Sequence, residues 1–120
     1  WEKILFVKRK KDPFKETWVL PGGHIDDGEK DEDAVVREIK EEVGLDIKPT
    51  YFGSYDESYP EFSWKAIVSV FIGSYDKKKK AKVASKGELS EIKWFNASEI
   101  DNLNVGFDHK RIVLEYLNEI

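Results

Sequence analysis

Residues 23–45 read GHIDDGEKDEDAVVREIKEEVGL, and this stretch decides how the rest of the chain is interpreted. It contains Glu38, Glu41 and Glu42, so that the second glutamate lies three positions after the first and the third directly follows the second. Residues three and four apart on a helix are neighbours, so a helix would bring these carboxylates close together. Carboxylates this close repel one another and lower stability unless a cation lies among them. A hard divalent cation that prefers oxygen ligands, such as magnesium, suits this spacing.

The same stretch predicts a helix with clear ends. Asp31 is a good N-cap and is followed by two further acidic residues in the first turn, where the helix dipole favours negative charge. Gly44 is a good stop signal. Apolar residues recur every four positions and predict the buried stripe, which consists of Val35, Ile39 and Val43. The three glutamates are therefore expected on a flank that faces outward.

Outside this helix the pattern predicts a mixture of strands and helices. A lysine-rich loop is expected over 76–87, a brief helix at Ser98 with Asp101 three residues later, and a final helix capped by Asp108. This order favours an α/β layered domain with helices on two faces of a sheet. The predicted strands cover residues 4–8, 18–20, 47–55, 65–73 and 92–95.

The composition excludes several classes of protein. The 120 residues suit one compact domain over residues 1–120, and the net charge of −4 argues against a general nucleic-acid binder. No apolar run is long enough to span a membrane. Without cysteine there are no disulfides or thiolate metal sites, and the cytoplasm is the expected compartment. The chain starts at Trp1 and has no methionine, which is typical of a sequence whose first residues are missing.

The glycines, arginine and glutamates together form a recognisable pattern. Written as Gly-x5-Glu-x7-Arg-Glu-U-x-Glu-Glu-x-Gly-U, where U is a bulky aliphatic residue, it resembles the Nudix box. The run over 18–22, WVLPG, also matches the usual approach to that box. The chain is therefore identified by resemblance as a Nudix hydrolase. Every position of the box is filled, by Gly23, Glu29, Arg37, Glu38, Ile39, Glu41, Glu42, Gly44 and Leu45.

The resemblance implies a fold and a reaction. The fold is an α/β/α sandwich with a mixed, curved sheet between helices, in which the box forms a loop-helix-loop. The reaction is hydrolysis of a nucleoside diphosphate linked to another moiety, by attack of water activated by Mg²⁺ or Mn²⁺. By the same resemblance Glu29 and Arg37 support the site. The implied metal ligands are Glu38, Glu41, Glu42 and the backbone carbonyl of Gly22.

Two glutamates are the main candidates for the general base, and the choice between them stays open. A diphosphate repels a nucleophilic water, a bound metal offsets that charge, and a carboxylate takes the proton. Glu38 is the first candidate and would also be a metal ligand. Many members of the family use a glutamate from a later loop, where Glu88, and with less support Glu91, stand in this chain.

Two segments bear on the substrate. The run over 104–109, NVGFDH, and Pro60 resemble features of Nudix proteins grouped with ADP-ribose pyrophosphatases. Two departures weigh against that subgroup. Residues 56–61 replace its usual Arg-Asp-Pro-Arg-like loop, and His24 replaces a common phenylalanine. ADP-ribose or a related nucleoside diphosphate sugar is the first expectation. An oxidised or ordinary nucleoside triphosphate, or a dinucleoside polyphosphate, is the alternative.

The remaining expectations concern ligands and partners. Gly23 and His24 are candidate contacts for substrate phosphate, and Tyr59 and Phe62 are candidates for stacking on a base. The expected partner is a nucleotide, with neither nucleic acid nor a membrane, and a homodimer is open because many members of the family dimerise. A non-catalytic, nucleotide-sensing Nudix domain is the alternative of another class.

Overall fold

The computed structural model of the protein describes residues 3–119. Its contacts group the chain into two compact units. The first unit combines the described residues up to Leu20 with those from Lys86 onward, and the second covers Pro21–Ser85. In chain order the elements are β1 (Lys3–Arg9), β2 (Trp18–Val19), α1 (Asp31–Val43), β3 (Lys48–Tyr59), a 3₁₀ turn (Pro60–Phe62), β4 (Trp64–Ser74), β5 (Leu89–Asn96), α2 (Ala97–Ile100) and α3 (His109–Glu119).

The first unit is built on an antiparallel sheet in the order β2-β1-β5. A single parallel bridge joins Trp18 to Val105. The ring of Phe6 meets Phe95 edge-on, with centroids 5.7 Å apart and an interplanar angle of 75°. Both side chains belong to a buried cluster that also contains Ile100 of α2 and Val113 of α3. Burial of these apolar groups is what holds the helices of this unit to its sheet.

A second group of rings in the first unit, Phe14, Phe107 and His109, is called the aromatic corner below. The rings of Phe14 and Phe107 lie 4.7 Å apart, and His109 stacks on Phe107 at 5.3 Å. His109 Nδ1 accepts a hydrogen bond of 3.0 Å from the backbone amide of Leu20. A side chain at Gly106 would overlap Thr17, so the close approach there requires glycine. The corner therefore fixes the chain at Leu20, the residue before Pro21.

Helix α1 of the second unit begins one residue away from the predicted cap. Asp31 is its first helical residue, and Lys30 occupies the N-cap position without a side-chain hydrogen bond. The prediction of Asp31 as the N-cap is therefore wrong by one position. The acidic first turn still complements the helix dipole. Gly44 ends the helix as predicted, in the left-handed conformation with φ of 74°.

Strands β3 and β4 form an antiparallel hairpin that is longer than predicted. Pairing runs from Lys48 with Ser74 to Tyr59 with Trp64. The chain reverses its direction within the 3₁₀ turn and Ser63, so β3 continues up to this turn and β4 begins directly after it. Alternation along β3 places Tyr55, Glu57 and Tyr59 on one face of the hairpin. Both strands contact α1.

The predicted lysine-rich loop is confirmed, since no helix or strand lies between Ser74 and Leu89. Its far end is fastened to the last turn of α1 by two backbone hydrogen bonds. The amide of Lys82 donates to the carbonyl of Val43 at 3.0 Å, and the amide of Ala84 donates to that of Glu42 at 2.9 Å.

Two boundaries in the first unit also differ from the prediction. The cap of α2 is Asn96, whose side chain accepts from the Glu99 amide in a capping box, and not Ser98. Strand β5 begins at Leu89, so Glu91 lies within the strand while Glu88 immediately precedes it. Within residues 3–119, no helix is both long and apolar enough to cross a membrane.

Candidate functional site

Arg37 is the centre of a charged group on α1 and the loop before it, which is called the Arg37 cluster below. Its guanidinium binds Glu29 with two hydrogen bonds, Nε to Oε2 at 2.8 Å and Nη2 to Oε1 at 3.0 Å. Nη1 reaches Glu38 Oε1 at 3.0 Å and Glu41 Oε2 at 3.2 Å. Nη2 also donates to the backbone carbonyl of His24 at 2.9 Å. In this structure the guanidinium is the cation that lies among the box carboxylates.

The pairing of Glu29 with Arg37 changes the proton affinity of both groups. The hydrogen bonds from Arg37, with a further one from the Asp26 amide, lower the pKa of Glu29 from 4.5 to about 2. The same pairing raises the pKa of Arg37 above its ordinary value. Glu29 therefore stays ionised in mild acid and keeps Arg37 in place. This geometry agrees with the supporting role that the resemblance implied for the two residues.

Glu42 departs from the sequence-based expectation. The three box glutamates were expected to face outward, but Glu42 is only 5% exposed, so the prediction is wrong for this residue. Its Oε1 accepts a hydrogen bond of 3.1 Å from the backbone amide of Gly22. Helix α1 buries Ala34, Ile39 and Val43 as well, so its buried stripe is broad enough to include Glu42. Glu41, by contrast, has a side chain that is 58% exposed.

Gly23 and Glu38 form a close contact that depends on the missing side chain. A Cβ at Gly23 would overlap the carboxyl group of Glu38. The glycine therefore lets this carboxylate lie directly against the backbone of the turn. The side chain of Glu38 is 14% exposed, and Arg37 binds one of its oxygens. Glu38 is thus packed directly against the glycine turn.

The carboxylate oxygens near the glycine turn are the type of ligand that a hard divalent cation binds. Among the described residues, however, they are not gathered into one metal-binding group. Glu38, Glu41 and Glu42 offer carboxylate oxygens beside a glycine turn, which is the chemistry that magnesium prefers. Within residues 3–119, no three acidic or histidine side chains form a metal-binding group. Glu38 and Glu41 bind Arg37, while Glu42 binds the Gly22 amide. The three-glutamate ligand set, with the Gly22 carbonyl, therefore stays a prediction that fits the chemistry of the residues.

The predicted substrate contacts lie in the same unit. His24 is exposed, and its ring meets the indole of Trp64 with centroids 5.9 Å apart at 45°. Tyr59 is half-buried at the end of β3 and pairs across the hairpin with Trp64. Phe62, in the 3₁₀ turn, is 39% exposed. The roles of His24, Tyr59 and Phe62 as substrate contacts stay predictions.

The site predicted from the sequence did not include the pair formed by Glu57 and Trp64. Glu57 is 4% exposed, and its Oε1 accepts a hydrogen bond of 3.1 Å from Trp64 Nε1. The signal was the alternation along β3, which puts an acidic residue between two tyrosines on one face of a strand. Neither residue belongs to the box pattern, so the box gave no reason to consider them.

The two later glutamates belong to the first unit. Glu88 is exposed, and its backbone carbonyl accepts from the Lys10 amide at 3.0 Å. Glu91 lies 3.6 Å from Lys8 Nζ in an exposed ion pair. The choice of Glu38 or Glu88 as the general base stays a prediction.

The box geometry and the fold agree with what comparison with known proteins finds. A NUDIX domain model matches residues 2–116. The chain belongs to the NUDIX domain family. The family resemblance predicted from the sequence is thereby confirmed.

One relative of this NUDIX domain is similar over almost the whole of this chain. The chain is 36% identical over 116 residues to an ADP-ribose pyrophosphatase of Methanocaldococcus jannaschii, covering 96% of this chain and 66% of that protein. It therefore spans slightly less than two thirds of that relative's length.

Two crystal structures resemble this NUDIX domain closely. A MutT NUDIX hydrolase from Burkholderia pseudomallei matches with a TM-score of 0.80 and 30% identity, over 94% of this chain and 86% of that one. The NUDIX domain of Shewanella oneidensis NrtR, complexed with ADP ribose, matches with a TM-score of 0.84 and 20% identity, over 98% and 77% of the two chains. The predicted Nudix-type α/β fold is confirmed by these likenesses.

Proposed function

We propose that this NUDIX domain hydrolyses the diphosphate linkage of a nucleoside diphosphate joined to another moiety, with ADP-ribose as the first candidate substrate. The observation that carries the proposal is the Arg37 cluster, in which the guanidinium binds Glu29, Glu38 and Glu41 and also the backbone carbonyl of His24, next to the glycine turn. Similarity over 96% of the chain to a protein named ADP-ribose pyrophosphatase supports the choice of substrate. The expected compartment is the cytoplasm.

The proposed cofactor is Mg²⁺, or Mn²⁺ in its place. NUDIX hydrolases generally use divalent metal ions, and the carboxylates of this chain offer the oxygen atoms that such ions prefer. Glu38, Glu41 and Glu42, with the Gly22 carbonyl, would hold it. When bound, the ion offsets the charge of the diphosphate and acidifies the attacking water.

The chain's own residues supply positioning and proton transfer in this proposal. Arg37, kept in place by Glu29, orients Glu38 and the backbone at His24. A carboxylate, that of Glu38 or Glu88, accepts the proton of the attacking water. Water then adds to one phosphorus atom as the bond to the bridging oxygen breaks. ADP-ribose would give AMP and ribose 5-phosphate.

Three exposed or half-buried side chains are proposed as substrate contacts. His24 follows the glycine turn directly and would contact a phosphate, next to Gly23. Tyr59 immediately precedes the 3₁₀ turn and Phe62 is its last residue, and either would offer a ring to the base.

A substrate panel tests the proposal. The purified chain is incubated with Mg²⁺ or with EDTA and given ADP-ribose, an oxidised deoxynucleoside triphosphate or a dinucleoside polyphosphate, and products are separated by chromatography. We expect AMP from ADP-ribose only when Mg²⁺ is present. Faster turnover of one of the other two nucleotides would identify that nucleotide, and not ADP-ribose, as the substrate. Tight binding without turnover under any metal would identify a nucleotide sensor.

Substitution of the box glutamates tests the site itself. Glu41→Gln and Glu42→Gln should each lower kcat/KM on the order of a hundredfold, because each removes a charge that the divalent ion needs. Glu32→Gln, on the same helix and exposed, is the matched control and should leave turnover unchanged. Unchanged turnover in Glu41→Gln or Glu42→Gln would rule out the metal site proposed here.

The pH dependence of kcat distinguishes the two candidate bases. Loss of the acidic limb of the profile in Glu88→Gln alone would assign the base to Glu88, and its loss in Glu38→Gln alone would assign it to Glu38. Glu91→Gln is the control for the loss of a negative charge close to Glu88 in the sequence.

A further inference from the structure

The β3–β4 hairpin buries a carboxyl group that the box does not include. Glu57 is 4% exposed, and burial of a carboxyl is unfavourable unless it is hydrogen-bonded. Its Oε1 accepts a hydrogen bond of 3.1 Å from the indole Nε1 of Trp64. An indole N–H has one donor direction, so this bond fixes the rotation of the Trp64 ring as well as its position.

The ring that Glu57 orients lies against His24. The centroids of Trp64 and His24 are 5.9 Å apart, with the ring planes inclined at 45°. Tryptophan has two side-chain torsions, so a fixed indole is a rigid support for a neighbouring ring. Of the two partners, Trp64 is half-buried and His24 is exposed, so His24 is the ring that a ligand can reach.

His24 thus has two contacts, one at its backbone and one at its side chain. Arg37 Nη2 donates to its carbonyl at 2.9 Å, and the Trp64 indole contacts its imidazole. The preceding residue, Gly23, lies directly against the carboxyl of Glu38. The imidazole therefore stands beside the turn at which the diphosphate is proposed to bind.

We infer that Glu57 and Trp64 are a positioning pair that orients the His24 imidazole to donate a hydrogen bond to a phosphate oxygen of the substrate. The inference rests on the proposed function, because it names the substrate group that His24 meets. The contact is made to a phosphate that is present before and after the water attacks. It therefore contributes equally to the bound substrate and the transition state, and its loss raises KM more than it lowers kcat.

Four variants test the chain of contacts. Glu57→Leu and Trp64→Leu break the support, His24→Ala removes the contact, and Glu57→Gln keeps an acceptor for the indole. Their matched controls are Glu61→Gln, an exposed neighbour in the same hairpin, and Trp94→Phe, a partly exposed tryptophan of β5.

The nuclear magnetic resonance signals of the His24 ring report its position relative to Trp64, and they can be measured without any enzyme turnover. The Trp64 indole shifts the ring protons of His24, so Glu57→Leu and Trp64→Leu should both move these signals toward their values in a peptide. Glu57→Gln and the two controls should leave them in place. Unmoved His24 signals in Glu57→Leu and Trp64→Leu would overturn the positioning role, whatever the enzyme does.

Kinetics with ADP-ribose and Mg²⁺ read the phosphate contact. Loss of one hydrogen bond predicts a KM increase of about fivefold in His24→Ala, with kcat nearly unchanged. Glu57→Leu should match it, the double variant should add nothing further, and Glu57→Gln should restore the wild-type KM. An unchanged KM in His24→Ala would overturn the substrate contact.

The result with inorganic pyrophosphate separates this inference from the proposed function. If no nucleotide is hydrolysed, the proposed activity fails, and the His24 signals are then followed while pyrophosphate is added with Mg²⁺. A pyrophosphate-dependent shift in the wild type that is lost in Glu57→Leu would still support the positioning pair. No shift in the wild type would overturn the phosphate contact.

Discussion

Arg37 in the second unit and His109 in the first each hold a loop by binding its main chain, but the surroundings of the two side chains differ. Arg37 donates to the carbonyl of His24 from within a group of carboxylates. His109 accepts from the amide of Leu20 while stacked on Phe107. The first loop is held by charged side chains, and the second by ring packing with one hydrogen bond from a backbone amide. The first should therefore respond to loss of the guanidinium fork, and the second to loss of the imidazole acceptor.

Truncation in the packed core should give the largest loss of stability. Phe6 is fully buried, and Phe6→Ala removes both apolar burial and the edge-on contact with Phe95. The free energy of unfolding should fall by about 3–5 kcal/mol, measured by urea denaturation. Ile67→Ala is the control, because Ile67 is 74% exposed and should cost far less. A loss of stability at Phe6 no larger than that at Ile67 would contradict the packing account of the first unit.

Arg37→Lys should affect activity most strongly among substitutions that keep the charge. A lysine keeps the positive charge but loses the fork that binds Glu29 twice and the contact with the His24 carbonyl. The value of kcat/KM should fall about 10–100-fold, as for other groups that orient metal ligands. Arg111→Lys, which affects an arginine paired with Asp108 at 2.6 Å on α3, is the matched control. Equal effects of the two substitutions would show that the Arg37 fork has no special role.

His109→Phe tests the aromatic corner. The new ring can still stack on Phe107, but the amide of Leu20 loses its acceptor. An unsatisfied and partly buried donor predicts a loss of about 1–3 kcal/mol, measured as a lower midpoint of thermal unfolding. His24→Phe serves as the control, since the exposed ring of His24 makes no comparable bond to the main chain in the described structure. Wild-type stability in His109→Phe would mean that stacking alone holds this loop.

Acid should weaken the Arg37 cluster through Glu29. The pKa of Glu29 is lowered by Arg37 from 4.5 to about 2, so the folded protein binds this proton less readily than the unfolded chain does. The resulting stability is present above pH 4.5 and is lost as the pH falls toward about 2. Glu29→Gln should flatten the dependence of the urea midpoint on pH across this interval, and Glu32→Gln should not. An equally steep dependence in Glu29→Gln would exclude the pairing as its source.

The box was predictable from sequence because its chemistry is local. The spacing of Arg37, Glu38 and Glu41 along one helix is enough to bring their charged groups together. The direction in which a glutamate points is not local. Glu42 was predicted to face outward, yet it is buried and bound to the amide of Gly22, twenty residues earlier in the chain. A helix stripe drawn through three apolar residues was too narrow to reveal this.

Element boundaries failed for the same physical reason. Lys30, not Asp31, occupies the N-cap position of α1, and no side-chain hydrogen bond there marks the start of the helix. Strands β3 and β4 extend past their predicted ends because each supplies the other with hydrogen bonds up to Tyr59 and Trp64. The hydrogen bond between Glu57 and Trp64 depends on the register in which β3 pairs with β4, so it could not be predicted from the pattern of either strand alone.

The fastening of the lysine-rich loop to α1 has a practical consequence for engineering. Lys82 and Ala84 bind the last turn of α1 through their backbone amides, so the loop is closed by main-chain bonds that do not depend on its side chains. Residues 77–80 precede this closure and are exposed. A peptide tag inserted there lengthens a loop that is already closed, and each doubling of loop length costs only about 0.6 kcal/mol. This loop is therefore the place to attach a fluorophore or an affinity tag while leaving the glycine turn and α1 unchanged.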